Sequence, residues 1–113
     1  MSAWASMGVA LLLGFAVNGA SAAEANAPPA KVMQVDIRNF AFAPHSITVP
    51  VGTRVNWTNK DDEPHRVTST GNQFVASQAL DTGDSYAVTF AKPGTYAYYC
   101  SIHPMMVGTI IVQ

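Results

Sequence analysis

From Val35 onward, hydrophobic and polar residues alternate in short runs. Val35 and Ile37 alternate with Asp36 and Arg38, Ile47 and Val49 with Ser46 and Thr48, and Val55 and Trp57 with Arg54, Asn56 and Thr58. Tyr86, Val88 and Phe90 alternate with Ala87 and Thr89. A period of two sends successive side chains to opposite faces of a strand, so each run predicts one face in a core and one in water. Pro50-Val51-Gly52 and Pro93-Gly94 supply turns, and residues 59–64 form a polar loop. The chain is expected to return as a strand over 65–70 and then make an irregular excursion over 71–83 that holds one short strand. It should run extended from Thr95 to Cys100 and end in an apolar strand from Gly108 to Val112. No amphipathic helix of useful length, repeat or low-complexity tract interrupts this pattern. Roughly seven or eight short strands at such spacing predict an all-β protein, an antiparallel Greek-key β-sandwich. Phe40, Phe42, Trp57, Val88, Phe90, Tyr96 and Ile110 are the expected core.

The first residues follow a different logic. Met7 to Val17 is apolar but too short to span a bilayer comfortably, and Ala20-Ser21-Ala22 fits a small-residue cleavage site. Residues 1–22 are therefore expected to be a signal peptide, although no Lys or Arg precedes the apolar run; the alternative is an uncleaved anchor. Residues 23–30, small and Pro-containing, read as a flexible leader, and 31–113 as one domain. Export of this kind places the mature chain in the periplasm, with no stable membrane insertion after cleavage. A domain of this length buries roughly 60–65% of its unfolded surface and can fold without disulfides. The formal net charge is −1, which gives no basic patch for nucleic acid and no acidic tail for a cationic partner.

The chemistry is concentrated in Cys100-Ser101-Ile102-His103-Pro104-Met105-Met106. Cys100 is the only cysteine, so it has no partner for an intramolecular disulfide, and in an oxidising compartment a free thiol needs burial or a metal. A thiolate, an imidazole and a thioether in one short loop suit copper, which alternates between a soft monovalent and a borderline divalent state. His65, in Glu63-Pro64-His65, is the candidate for a second imidazole arriving from elsewhere. Each part alone has a plainer explanation: His65 as a loop-end histidine, Cys100 as an inert buried thiol, Met105 and Met106 as plugs of a sandwich end. Together they are hard to explain as packing. Met106 is preferred to Met105 as the thioether because of its spacing from His103. His45 is expected to be a surface residue. Zinc accepts Cys and His, but its structural sites use four such ligands and no thioether, so copper ranks above it.

At these residues the chain resembles the cupredoxins, the small type 1 blue copper proteins, and within them the amicyanin, pseudoazurin and plastocyanin branch, closest to amicyanin. The stretches that carry the resemblance are residues 39–44, 47–53, 55–59, 63–65 and 92–104, which covers nearly all of the expected mature chain. The resemblance implies one type 1 copper ion per chain, held by His65, Cys100, His103 and Met106, and a structural tyrosine corner at Tyr96. It implies copper beneath one end of the sandwich, an apolar collar of Pro64, Pro104 and Met105, and electron exchange through the exposed edge of His103. Transient redox protein partners follow, a periplasmic dehydrogenase and a cytochrome c among them, with the carrier expected to be a monomer. Protonation of His103 in the reduced form is a further expectation. Two positions depart from the pattern: Arg66 stands where the family usually carries Asn, which ties the two ligand loops, and Met105 stands where amicyanin commonly has Phe.

These observations favour a periplasmic electron-transfer protein that cycles Cu(I)/Cu(II) and is not an enzyme. The alternative is a copper storage or delivery module, which calls for ligands that can be released. A copper nitrite reductase or multicopper oxidase would need further histidine-rich sites, and the chain holds only three histidines.

Overall fold

The computed structural model describes residues 31–113, so the expected signal peptide and leader lie outside the described residues. Eight strands form: β1 (Val32–Arg38), β2 (Ala41–Ala43), β3 (Ser46–Val49), β4 (Thr53–Asn59), β5 (Thr68–Ser69), β6 (Ser85–Phe90), β7 (Gly94–Tyr99) and β8 (Val107–Val112). They pack as a sandwich of two four-stranded sheets, ordered β2-β1-β4-β6 and β3-β8-β7-β5. No helix among the described residues is long and apolar enough to cross a membrane.

Alternation places the strand faces as expected. In β1, Val35 and Ile37 are fully buried, and in β4 so are Val55 and Trp57. The outer face of the same strands carries a polar ladder. Asn56 donates to Gln34 Oε1 (2.8 Å), Gln34 donates to Thr58 Oγ1 (2.8 Å), and Thr58 and Ser85 hydroxyls pair at 2.8 Å. Such cross-strand pairs help hold register, because a one-residue slip would exchange this ladder with the core face.

The sheets are mixed rather than purely antiparallel. The pairs close in sequence, β1–β2 and β7–β8, are antiparallel, whereas β1–β4 and β3–β8 are parallel. Both parallel pairs join strands separated by a crossover to the other sheet. A period of two reports which face is buried but not which way the neighbouring strand runs. The return of the chain after the polar loop also differs from expectation. Only Thr68–Ser69 is a strand, and the excursion over 71–83 holds a single isolated bridge, His65 to Leu80, in place of a strand.

Of the expected core, Phe42, Trp57, Phe90, Tyr96 and Ile110 are buried and Val88 packs against them half-buried. Phe40 is the exception, at 50% exposed. It is the second residue of a two-residue turn between β1 and β2, defined by the Arg38↔Ala41 pairing, and the turn lifts it off the sheet. Tyr96 does form the expected corner, its hydroxyl donating to Lys92 O at 2.7 Å. Trp57 is the hub of the core, with Tyr98 edge-on at 5.3 Å and Phe74 and Tyr86 stacked beside it.

Tyr98 packs directly over Gly108, its partner across β7 and β8. A Cβ at position 108 would collide with the Tyr98 ring, which is fixed by Trp57 and Phe42 and has no room to yield. Gly108→Ala is therefore expected to cost about 1–3 kcal/mol, read as a lowered midpoint in urea unfolding. Burial pushes the Tyr98 phenol up to about 12, against an opposing pull from the Trp57 indole. The neutral phenol is thus favoured in the folded state, so its stabilisation is intact below pH 10 and is lost as pH rises toward 12. Stability should fall by up to about 3 kcal/mol across that window through this group alone, and Tyr98→Phe should flatten that part of the slope.

Candidate metal centre

Strands β1 and β4 are parallel, so both end on the same side of the sandwich, where β7 also ends. Three loops therefore meet there: the β1–β2 turn, the polar loop that leads to His65, and the β7–β8 loop. The last is the tip of a hairpin. Tyr99 pairs with Val107, and the residues between them close on themselves. Cys100 N–H donates to Met106 O (3.1 Å), His103 N–H to Cys100 O (3.2 Å), and Met106 N–H to His103 O (2.9 Å). The Cys-x-x-His-x-x-Met spacing is thus the length of one hairpin loop, with Cys100 and Met106 at its neck and His103 at the middle of its turn. Cys100 and Met106 are buried, His103 is half-buried, and Met105 is exposed at the tip.

His65 comes from the other loop and is fully buried. Its main chain is strapped to Leu80 in both directions (N–H to Leu80 O, 3.1 Å; Leu80 N–H to His65 O, 2.7 Å). This strap brings its ring against the hairpin tip. The Nδ1 atoms of His65 and His103 lie 3.2 Å apart, and each lies 3.8 Å from Cys100 Sγ. Nitrogen and sulfur donors bound to one first-row ion at roughly 2.0–2.3 Å sit about 3.2–3.9 Å from one another when the ion lies near their plane. The three side chains therefore fit a single ion. His45, expected at the surface, is exposed and takes no part.

Cys100 and His65 have further partners. Arg66 N–H donates to Cys100 Sγ (3.3 Å). The guanidinium of Arg66 turns away from the sulfur and donates through Nε and Nη2 to Ser77 O (3.1 and 3.0 Å). It neither reaches solvent freely nor replaces an Asn tie between the loops. His65 Nε2 lies 2.8 Å from Asp61 Oδ2. Such a carboxylate on the far nitrogen fixes ring orientation and leaves Nδ1 free to ligate. Asp61 also accepts N–H bonds from Asn39 (2.7 Å) and Phe40 (2.9 Å). Burial works to raise its pKa, but the Phe40 and Asn39 amides and His65 outweigh it and hold the carboxyl below its ordinary range.

Asp61 and Phe40 are the residues that sequence reasoning missed here. Asp61 stands four residues before His65 within a loop of several acids, and nothing in spacing alone singles it out. For Phe40 a signal exists: Asn39-Phe40 lies between two alternating runs, a place where Asn starts a tight hairpin turn.

The chain matches the family model of the cupredoxin-like domain over residues 8–112. It is 33% identical to amicyanin-alpha of Methylorubrum extorquens over 89 residues, 75% of this chain and 75% of that protein. Among solved structures it is similar to a purple cupredoxin from Nitrosopumilus maritimus, at 35% identity and a TM-score of 0.65, over 71% of this chain and 98% of that one. It is also similar to an amicyanin variant in its Cu(I) form, at 28% identity and a TM-score of 0.69, over 73% and 82% of the two chains. The fold and the site define a small β-sandwich metalloprotein with mixed nitrogen and sulfur donors. The chain belongs to the cupredoxin family, and the soft thiolate beside two imidazoles makes copper the metal that its site fits.

Asn59 supports the loop that carries His65. It is fully buried, donates to Glu63 O and Leu80 O (both 2.8 Å), and accepts from Asp61 N–H (2.9 Å). Asn59→Ala leaves Glu63 O and Asp61 N–H without this partner, while Leu80 O keeps the His65 N–H, and should cost about 1–3 kcal/mol in chemical unfolding of the metal-free protein.

Proposed function

We propose that this chain is an electron carrier that cycles one copper ion between Cu(I) and Cu(II), which His65, Cys100 and His103 would hold as its main donors, with Met106 as a thioether donor. The observation that carries this reading is the triangle of Nδ1, Nδ1 and Sγ atoms at 3.2, 3.8 and 3.8 Å. The bound copper would supply a one-electron redox couple. The protein's part is to keep the donors in one arrangement for both oxidation states, so that little nuclear rearrangement accompanies electron transfer. The Cys100–Met106 neck, the Leu80 strap on His65 and the Asp61 contact to its far nitrogen all serve that end.

His103 is the donor nearest solvent, since His65 and Cys100 are fully buried. Around it Phe40, Ile102, Pro104 and Met105 line a shallow apolar depression. Met105 is 93% exposed at its rim. This collar supports brief docking of a redox protein through a small interface with fast release, and electron exchange through the His103 edge. The partners in this reading are a dehydrogenase and a cytochrome c, and the setting is the periplasm, with the chain acting as a monomer. Full burial of two donors disfavours the storage or delivery alternative, which needs ligands that let go.

The test is visible and paramagnetic-resonance spectroscopy of the Cu(II)-loaded protein together with voltammetry. An intense thiolate-to-Cu(II) band, a reversible one-electron wave and loss of the band in Cys100→Ser are expected. A colourless, electrochemically silent loaded protein would overturn the reading, and rapid handover of Cu(I) to a chelator would replace it with delivery.

A further inference from the structure

The β1–β2 turn holds a conformation that its sequence does not favour. Asn39 and Phe40 both have positive φ, 55° and 56°. Two such residues in a two-residue hairpin make a type I′ turn, where Asn suits the first place and Gly the second. A bulky aromatic in that second place is a backbone outlier that persists only when its surroundings impose it. Asp61 imposes it here: Oδ1 accepts the Asn39 N–H and Oδ2 accepts the Phe40 N–H, pinning both turn amides to one carboxylate. The same Oδ2 lies 2.8 Å from His65 Nε2.

The turn spends this unfavourable conformation on the placing of one ring. Phe40 stands edge to face with His65 at 5.3 Å between centroids and with His103 at 5.1 Å, nearly perpendicular to each (86° and 88°). It is the aromatic side chain that touches both imidazoles, one from each ligand loop. The ring is half-exposed, so core burial does not account for its position.

We propose that Phe40 is a positioning residue, a wedge set by Asp61 through the left-handed β1–β2 turn, that fixes the two imidazoles relative to one another. His103 needs such a constraint most. It sits in the middle of an exposed hairpin tip, its main-chain hydrogen bonds lie within that tip, and its Nδ1 faces the other two donors, His65 Nδ1 and Cys100 Sγ. With the ring in place, both nitrogen donors stay directed at one point. Without it, the His103 ring is free to swing away. Cu(II) depends on two imidazoles more than Cu(I) does, so the wedge favours the oxidised state. This last consequence rests on the copper reading; the ordering of the rings does not.

Phe40→Gly is the informative variant, because glycine accepts φ near 56° and the turn loses only its ring. Phe40→Tyr keeps the ring as a control. In the metal-free full-length protein, nuclear magnetic resonance should show contacts from the residue 40 ring to both imidazoles in the natural chain and in Phe40→Tyr. In Phe40→Gly, the His103 ring should become mobile on the nanosecond scale while the unfolding midpoint stays unchanged or rises. In the loaded protein, Phe40→Gly should weaken Cu(II) about tenfold and Cu(I) much less. The potential then rises, at about 59 mV per tenfold change in the affinity ratio. A His103 ring as ordered in Phe40→Gly as in the natural chain overturns the proposal, as does failure of Phe40→Tyr to preserve that order. Should Phe40→Gly not fold, Phe40→Leu decides by the same ring order. A natural chain that shows no thiolate-to-Cu(II) band defeats the copper reading alone, since the metal-free ring data still judge the wedge.

Discussion

The main-chain bond from Cys100 N–H to Met106 O is the constraint on which the site rests. It closes the β7–β8 hairpin immediately beyond the last strand pair, Tyr99 and Val107. A hairpin closed at that point leaves room for five residues in its tip, and the turn bond from His103 N–H to Cys100 O then brings the middle of the tip back toward its base. Thiol, imidazole and thioether are thereby confined to one hairpin tip by its register and these two bonds. Everything else at this end of the sandwich brings a second imidazole to a place the hairpin has already chosen.

Bringing it there has an electrostatic cost that the loops offset locally. A buried thiol, a buried imidazole and a half-buried one, with nitrogens 3.2 Å apart, compete for partners in a region with little water. Two of the three have one supplied by a neighbouring main chain or carboxylate. Cys100 Sγ receives the Arg66 N–H, and His65 Nε2 meets Asp61. Asp61 is in turn satisfied by the amides of the β1–β2 turn and held by Asn59. The polar network is connected at every step, and connected networks specify geometry where half-satisfied ones do not. Strands β1 and β4 must run parallel for it to exist, because only then do the turn after β1 and the loop after β4 emerge side by side.

How much of this is legible in the sequence depends on how local each feature is. Strands with one buried face declare themselves by alternation, so β1, β3, β4 and β6 are read correctly from Val35, Ile47, Trp57 and Val88 and their polar neighbours. Strand direction is not local, and the parallel pairs β1–β4 and β3–β8 leave no trace in periodicity. The segment 65–67 looks like a strand because Val67 is buried. Its hydrogen bonds go instead to Leu80 and to Ser77. Phe40 looks like core because hydrophobicity carries no information about a turn that raises a ring above the sheet. Cys100, His103 and Met106 are legible because one hairpin loop contains them. Asp61 is not, since its partners Asn39, Phe40 and His65 meet it only after three loops converge.

Arg66 follows a ligand, His65, yet its side chain does not join the two ligand loops. The guanidinium turns away from the hairpin to acceptors further off. It finds Ser77 O, on the segment that already pairs with Val67 through both the Ser77 main chain and its hydroxyl. The side chain thus stiffens the His65 loop from behind. The link across the two ligand loops then falls to contacts that do not depend on residue 66's side chain at all: its own N–H on the sulfur, and the Phe40 ring against both imidazoles. A main-chain donor and an aromatic wedge thus link the two ligand loops, and the donors converge without a side-chain tie from residue 66.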